Sequence, residues 1–203
     1  MGLFSAIGEF FSSVFSTIVS LSFSEVFVIT TILQVVLEIL GLNIKEDPET
    51  LGDKMLQAEA EGIVPENFDT YEEYLNEIRN FELDPEKSES YTREEKLQKF
   101  ATLGISLAAE KFDRDFVPIM IEVLPKFSED FRTKARIEAY IKEFDGAFDK
   151  LADYFKDSSS LTFSEIKDIE KRLVDLEKKL NPDADADSIL SKLDEQRQRV
   201  ENG

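Results

Sequence analysis

The stretch LFSAIGEFFSSVFSTIVSLSFSEVFVITTILQVVLEILGL, residues 3–42, decides how this chain is read. Its only formal charges are Glu9, Glu25 and Glu38, and the first basic residue of the chain is Lys45. At about 100° per residue, Leu3, Phe4, Ile7, Phe10, Phe11, Val14, Phe15, Ile18 and Leu21 share one helix face, opposite Ser5, Glu9, Ser12, Ser13, Ser16 and Ser20. That face can close over a core, lie in a lipid interface or pack on a partner. Gly8, Ser12, Ser16, Ser20 and Ser24 recur every fourth residue, which on a helix lines small side chains into one slowly winding stripe. Small residues at that spacing let two helices approach closely, in a membrane or in a tightly packed oligomer.

Ser22 and Glu25 fit a capping box, which starts a second helix through Val26, Val28, Ile29, Ile32, Leu33, Val35, Val36 and Leu37 to a stop at Gly41. Residues 1–44 therefore read as a hydrophobic helical hairpin, or as one long helix kinked near Ser22. The β-branched content of the second segment leaves a buried strand as its alternative. As a membrane span that segment is at the short limit. Glu38 inside it is costly, and no basic residue before Lys45 anchors either end.

At the start, Gly2, Leu3, Phe4, Ala6 and Ile7 resemble the opening of the influenza haemagglutinin fusion peptide. The resemblance covers about ten residues and implies membrane affinity for this segment. A myristoylation pattern wants Ser or Thr where Ala6 stands. No Lys or Arg precedes the apolar run, so a cleavable signal peptide is not expected.

Charge is the compositional outlier. Across 203 residues the formal charge is −19, of which residues 1–44 carry −3, residues 45–90 carry −11 and residues 91–203 carry −5. Such a field repels phosphates, so direct nucleic acid binding through a basic footprint is not expected. With no His and no Cys, the usual imidazole base, the thiolate nucleophile and the commonest transition-metal ligands are missing.

The expected fold class is all-α: the N-terminal hairpin (1–44), an acidic connector with short helices (45–90), an irregular helical bundle as the body (91–160) and a C-terminal helical pair (161–203). In the connector, turn signals at Asp47-Pro48, Gly62, Pro65 and Asp84-Pro85 bound short helices near 49–61 and 71–81, and the surrounding charge suggests a solvated tether or an acidic docking surface. Thr92 with Glu95 caps a helix carrying Leu97, Phe100, Ala101, Ile105, Ala108 and Phe112. Ser128 caps a long helix with Phe131, Ile137, Tyr140, Phe144, Phe148 and Phe155 on its buried side. Thr162 with Glu165 caps a helix that ends before Pro182, and a last helix covers 188–200.

Sites for chemistry are few. Asp183, Asp185, Asp187 and Asp194 stand at the first, third, fifth and twelfth positions of a calcium-loop pattern. The sixth position, normally Gly, is Ser188. The competing reading is an acidic turn whose Asp residues favour a helix N-terminus. No Gly-rich phosphate loop occurs. Paired carboxylates carry no weight in a chain this acidic, and no catalytic residue or cofactor is assigned.

The expectation is a non-enzymatic structural or assembly protein, a homo-oligomer or part of a larger assembly of the virion or secretion type. Its small-residue stripe and its Phe-rich face mediate association, with membrane contact through residues 3–41 as a further mode. A permeabilising protein that inserts the same hairpin is one alternative. An acidic inhibitor mimicking nucleic acid is another.

Overall fold

Local hydrogen bonding at the capping residues starts the helices. The computed structural model describes residues 3–42 and 44–203, with side chains from Ala6 onward. Helix α1 spans Leu3–Ile18 and α2 spans Phe23–Ile39. Between them the Ser22 amide donates to Glu25 Oε2 (2.9 Å) and the Glu25 amide to Ser22 Oγ (3.4 Å), so the capping box both ends the turn and opens α2. The second segment is helical, not a strand, and Gly41 at φ +74° terminates it. There follow α3 (Pro48–Ala60), α4 (Tyr71–Asn80), a single turn α5 (Pro85–Ser88) and α6 (Arg93–Phe112). Thr92 and Glu95 again exchange hydrogen bonds, of 2.7 and 3.2 Å, ahead of α6.

Beyond α6 the chain forms α7 (Phe116–Pro118) and a run of irregular turns, then α8 (Lys134–Phe144), α9 (Phe148–Lys156), α10 (Phe163–Leu180) and α11 (Ala186–Asn202). No strand occurs among the described residues. The single long helix expected from Ser128 is broken. Gly146, at φ +77° between α8 and α9, takes a backbone conformation that a helix interior does not allow, and Thr133 rather than Ser128 caps α8.

The chain divides into two compact units, Met1–Lys111 and Phe112–Gly203. In the first, α6 is the hub: every residue from Leu97 to Ala109 is buried. A helix covered all round must satisfy its own polar groups. Thr102 Oγ1 donates to the Gln98 carbonyl (2.7 Å), and Lys99 pairs with Glu59, whereas the buried Ser106 hydroxyl makes no hydrogen bond among the described residues. Gly52 of α3 lies against the Lys96 carbonyl and Gly104 against Leu33 of α2. The first is an approach to backbone that a side chain at Gly52 would obstruct; the second is to the far end of a side chain.

Residues 45–90 belong to this unit and are not an extended tether. Tyr71, Tyr74, Leu75 and Ile78 recur at helical spacing and are buried, as are Leu51, Met55 and Ala58 of α3. Asp53 is buried and bonded to Lys96 Nζ (2.8 Å) and Gln57 Nε2 (3.0 Å). Burial pushes its carboxyl up, but the hydrogen bonds from Lys96, Ser88 and Gln57 outweigh that and hold it below the usual range.

The second unit is an aromatic core. Phe116 meets Phe148 edge-on at 4.9 Å and Phe127 meets Phe155 at 4.8 Å. Beside it Glu177 of α10 takes a forked bond from Arg136 (2.9–3.0 Å) and another from Tyr140 Oη (2.8 Å). Desolvation, with the Glu177 charge, drives the Tyr140 hydroxyl well above its ordinary pKa, so it stays a donor.

Candidate functional site

The amino-terminal helices carry the candidate site, and their seating decides which surface is left over. On α1, Phe11, Val14 and Ile18 are buried, and Ile7, Phe10 and Phe15 are half-buried. The bed is built from α4 and the turn at Pro65–Asn67. The Phe11 ring lies 6.3 Å from both Tyr71 and Tyr74, and Phe10 lies 6.5 Å from Tyr71. Tyr71 Oη donates to the Ile7 carbonyl (2.7 Å) and the Tyr71 amide to Glu110 Oε1 (3.3 Å). Lys99 places its ammonium 4.3 Å from the Phe15 ring centre, a cation held over an aromatic face. Of the described part of the Phe-rich face, Phe11, Val14 and Ile18 are therefore covered by their own chain, and Ile7, Phe10, Phe15 and Leu21 are half covered. Leu3 and Phe4, assigned to that face from the sequence, lie outside the described side chains.

The five small residues of the stripe do not share one helix. Gly8 turns inward, where a Cβ would fall 2.1 Å from Glu66 Cγ. Ser12 and Ser16 are exposed on α1. Ser20 lies in the turn after α1, its hydroxyl donating to the Thr17 carbonyl (2.6 Å), and Ser24 sits in the first turn of α2 with its hydroxyl 3.1 Å from that of Ser22. Ser20 and Ser24 both lie past the end of α1, and the restart at Ser22 and Glu25 places Ser24 on a different helix from Gly8, Ser12 and Ser16.

What faces outward at the α1–α2 junction is a different set, which the periodicity argument did not single out. Val19, Phe23 and Phe27 are 43%, 39% and 46% exposed. The two rings stand 6.5 Å apart, and the Arg93 guanidinium lies 5.9 and 5.7 Å from their centres. Arg93 is itself paired with Glu49, so the aromatic pair has a polar, nearly neutral rim. The four-residue spacing of Phe23 and Phe27 on α2, out of phase with the buried Val26, Ile29 and Leu33, is the signal that could have found the two rings; Val19, in the turn before α2, had no such signal. Among the described residues no helix is long and apolar enough to cross a membrane.

Among the described residues no three acidic side chains gather to hold a metal ion. Asp185 caps α11 by accepting from the Ser188 amide (2.8 Å), Asp194 lies on α11 near Arg197 (3.6 Å), and Asp183 and Asp187 are exposed. A cleft of about 230 Å³ opens beside the C-terminal half of α2, lined by Gln34, Leu37, Glu38 and Phe100 among others. It extends the exposed side of α2 away from Phe23 and Phe27.

Compared with protein-family models, curated proteins and solved structures, the chain finds no match.

Proposed function

We propose that this chain is a non-enzymatic assembly protein that associates through the outward surface at the α1–α2 junction, with α1 and α2 acting as a hairpin-like pair joined at Val19–Ser22. The observation that carries the reading is the trio Val19, Phe23 and Phe27, three large apolar side chains left 39–46% exposed at this junction, the two rings 6.5 Å apart. Covering them is worth on the order of 1 kcal/mol each, about half the value of full burial. Polar neighbours, among them Ser20, Ser24 and the Arg93–Glu49 pair, rim them and give a docked surface its direction. The remaining acidic surface keeps the assembly soluble.

The test is molar mass by light scattering over a wide concentration range, for the natural chain and for Phe23→Ser with Phe27→Ser. Both positions are exposed, so helix content should be unchanged while mass falls toward that of one chain. If the double variant assembles as the natural chain does, the trio is not the association surface. A natural chain that stays monomeric yet empties neutral liposomes would replace this reading by the permeabilising one.

A further inference from the structure

We propose that the exposed face of α2 is occupied by the exposed face of α10 from a second copy, making a head-to-tail contact. This rests on the assembly reading above and names the partner surface. Along α2 the solvent-facing residues are Phe23, Phe27, Thr31, Gln34 and Glu38; along α10 they include Phe163, Lys167, Lys171 and Lys178, with Val174 half-buried between. Both series step by four, four, three and four residues. Laid parallel, they set Phe163 at the level of Phe23, Lys167 at Phe27, Val174 at Gln34 and Lys178 at Glu38.

The chemistry matches at each end. Phe163 is 76% exposed, the most open large apolar residue among those described, and the Thr162–Glu165 capping box fixes it at the first position of α10. Covered by Phe23 and Phe27, it leaves water together with them. Lys167 sits 5.7 Å from the Phe163 ring centre and 2.8 Å from Glu170 Oε2, so its ammonium is already neutralised at the edge of the apolar contact. At the other end the last turn of α10 carries Lys178 and Lys179, both exposed, where cations also suit a helix C-terminus. These meet the cleft edged by Glu38 and Glu46.

Two different surfaces joined in this way leave one free on each copy, so the contact propagates into chains or closes into a ring. Sixteen residues of helix span about 24 Å, too little for the roughly 1,000 Å² of a firm interface. The affinity is therefore micromolar or weaker, and the net charge of −19 on every copy opposes it further.

Sedimentation at increasing concentration tests the contact with Phe27→Ser and Phe163→Ser, each checked for unchanged helix content. Each variant alone should weaken self-association at least about tenfold. Mixed in equal amounts they should form a complex of two chains and no larger, because each retains the surface that the other lacks. Lys178→Glu and Glu38→Lys should each weaken association, and the chain carrying both should recover it. Association unaffected by Phe163→Ser, but lost in the Phe23→Ser, Phe27→Ser chain, overturns the α10 contact and leaves the assembly reading standing. A single-chain mass at every concentration overturns both.

Discussion

Replacing Gly52 by Ala sets two effects of opposite sign against each other, and the structure decides between them. In an isolated helix the change is favourable by about 1 kcal/mol, because Ala loses less backbone freedom than Gly. Here the new Cβ would fall 1.8 Å from the Lys96 carbonyl oxygen and 2.6 Å from its carbon. Both atoms belong to the backbone of α6, so no rotamer change clears them. Reaching even 3.0 Å requires α3 and α6 to part by about 1.2 Å. Parting them loosens the buried Lys96–Asp53 pair (2.8 Å) and the packing of Leu51 and Met55. Overpacking costs typically about 1–3 kcal/mol, and a clash with backbone on both sides places this one at the upper end, so after the helix gain the net expectation is a loss of about 2 kcal/mol. Gly104→Ala is the control. Its nearest obstacle is a methyl of Leu33 at 2.9 Å, which can turn aside, and the change should stay within about 1 kcal/mol of the natural chain. Because the chain has two units, a global melt need not be two-state. Native-state amide exchange in α3 and α6 is the sharper assay. Equal or greater protection in Gly52→Ala would refute the close-approach argument.

Two further predictions concern the seat of α1. Tyr71→Phe removes the hydroxyl that donates to the Ile7 carbonyl, so amide exchange in the first turns of α1 should speed up roughly fivefold, corresponding to about 1 kcal/mol, with α8–α11 unchanged. Glu110→Gln keeps an acceptor for the Tyr71 amide while removing a charge, and desolvation raises the Glu110 carboxyl above its ordinary 4.5. A raised folded pKa contributes stability below the unfolded value and loses it as pH rises through the folded one. The variant should therefore be the more stable at pH 7, and urea midpoints of the two should converge below pH 4.5. A variant less stable at pH 7 would contradict this sign.

Local signals were the legible ones. The capping boxes at Ser22, Thr92 and Thr162 place three helix starts correctly, because each is settled by four consecutive residues making bonds to one another. The inward face of α1 was legible for a similar reason, since a 3.6-residue period needs no knowledge of the partner. Residues 45–90 were harder. Tyr71, Tyr74, Leu75 and Ile78 show the period of a buried helix, but fifteen acidic residues in that segment argue for solvent when read alone. The fold answers by turning the carboxylates outward and pairing several with cations from distant positions, such as Glu49 with Arg93 and Glu72 with Lys111. The candidate site was legible only in part. Periodicity identifies a face but not what covers it, so the Phe-rich face of α1 looked available when Tyr71 and Tyr74, some sixty residues away, already occupy it.

That internal cover bears on how the chain meets an apolar partner. Lifting α1 away exposes Phe11, Val14 and Ile18, at about 1.5–3 kcal/mol each, and uncovers Pro65, Tyr71 and Tyr74, which are equally buried. A bilayer or partner that accepts α1 repays the first part, because those side chains leave water again. It repays nothing for the bed, which stays open on the first unit. The unrecovered part is about 5 kcal/mol, comparable to the whole stability of many small domains, so insertion of α1 amounts to partial unfolding of that unit. Val19, Phe23 and Phe27 need no such step, since their exposed area is available in the folded chain. Association through the folded surface is therefore the cheaper route. A membrane role would have to show loss of amide protection in α4 on binding, since the tyrosines that hold α1 sit there.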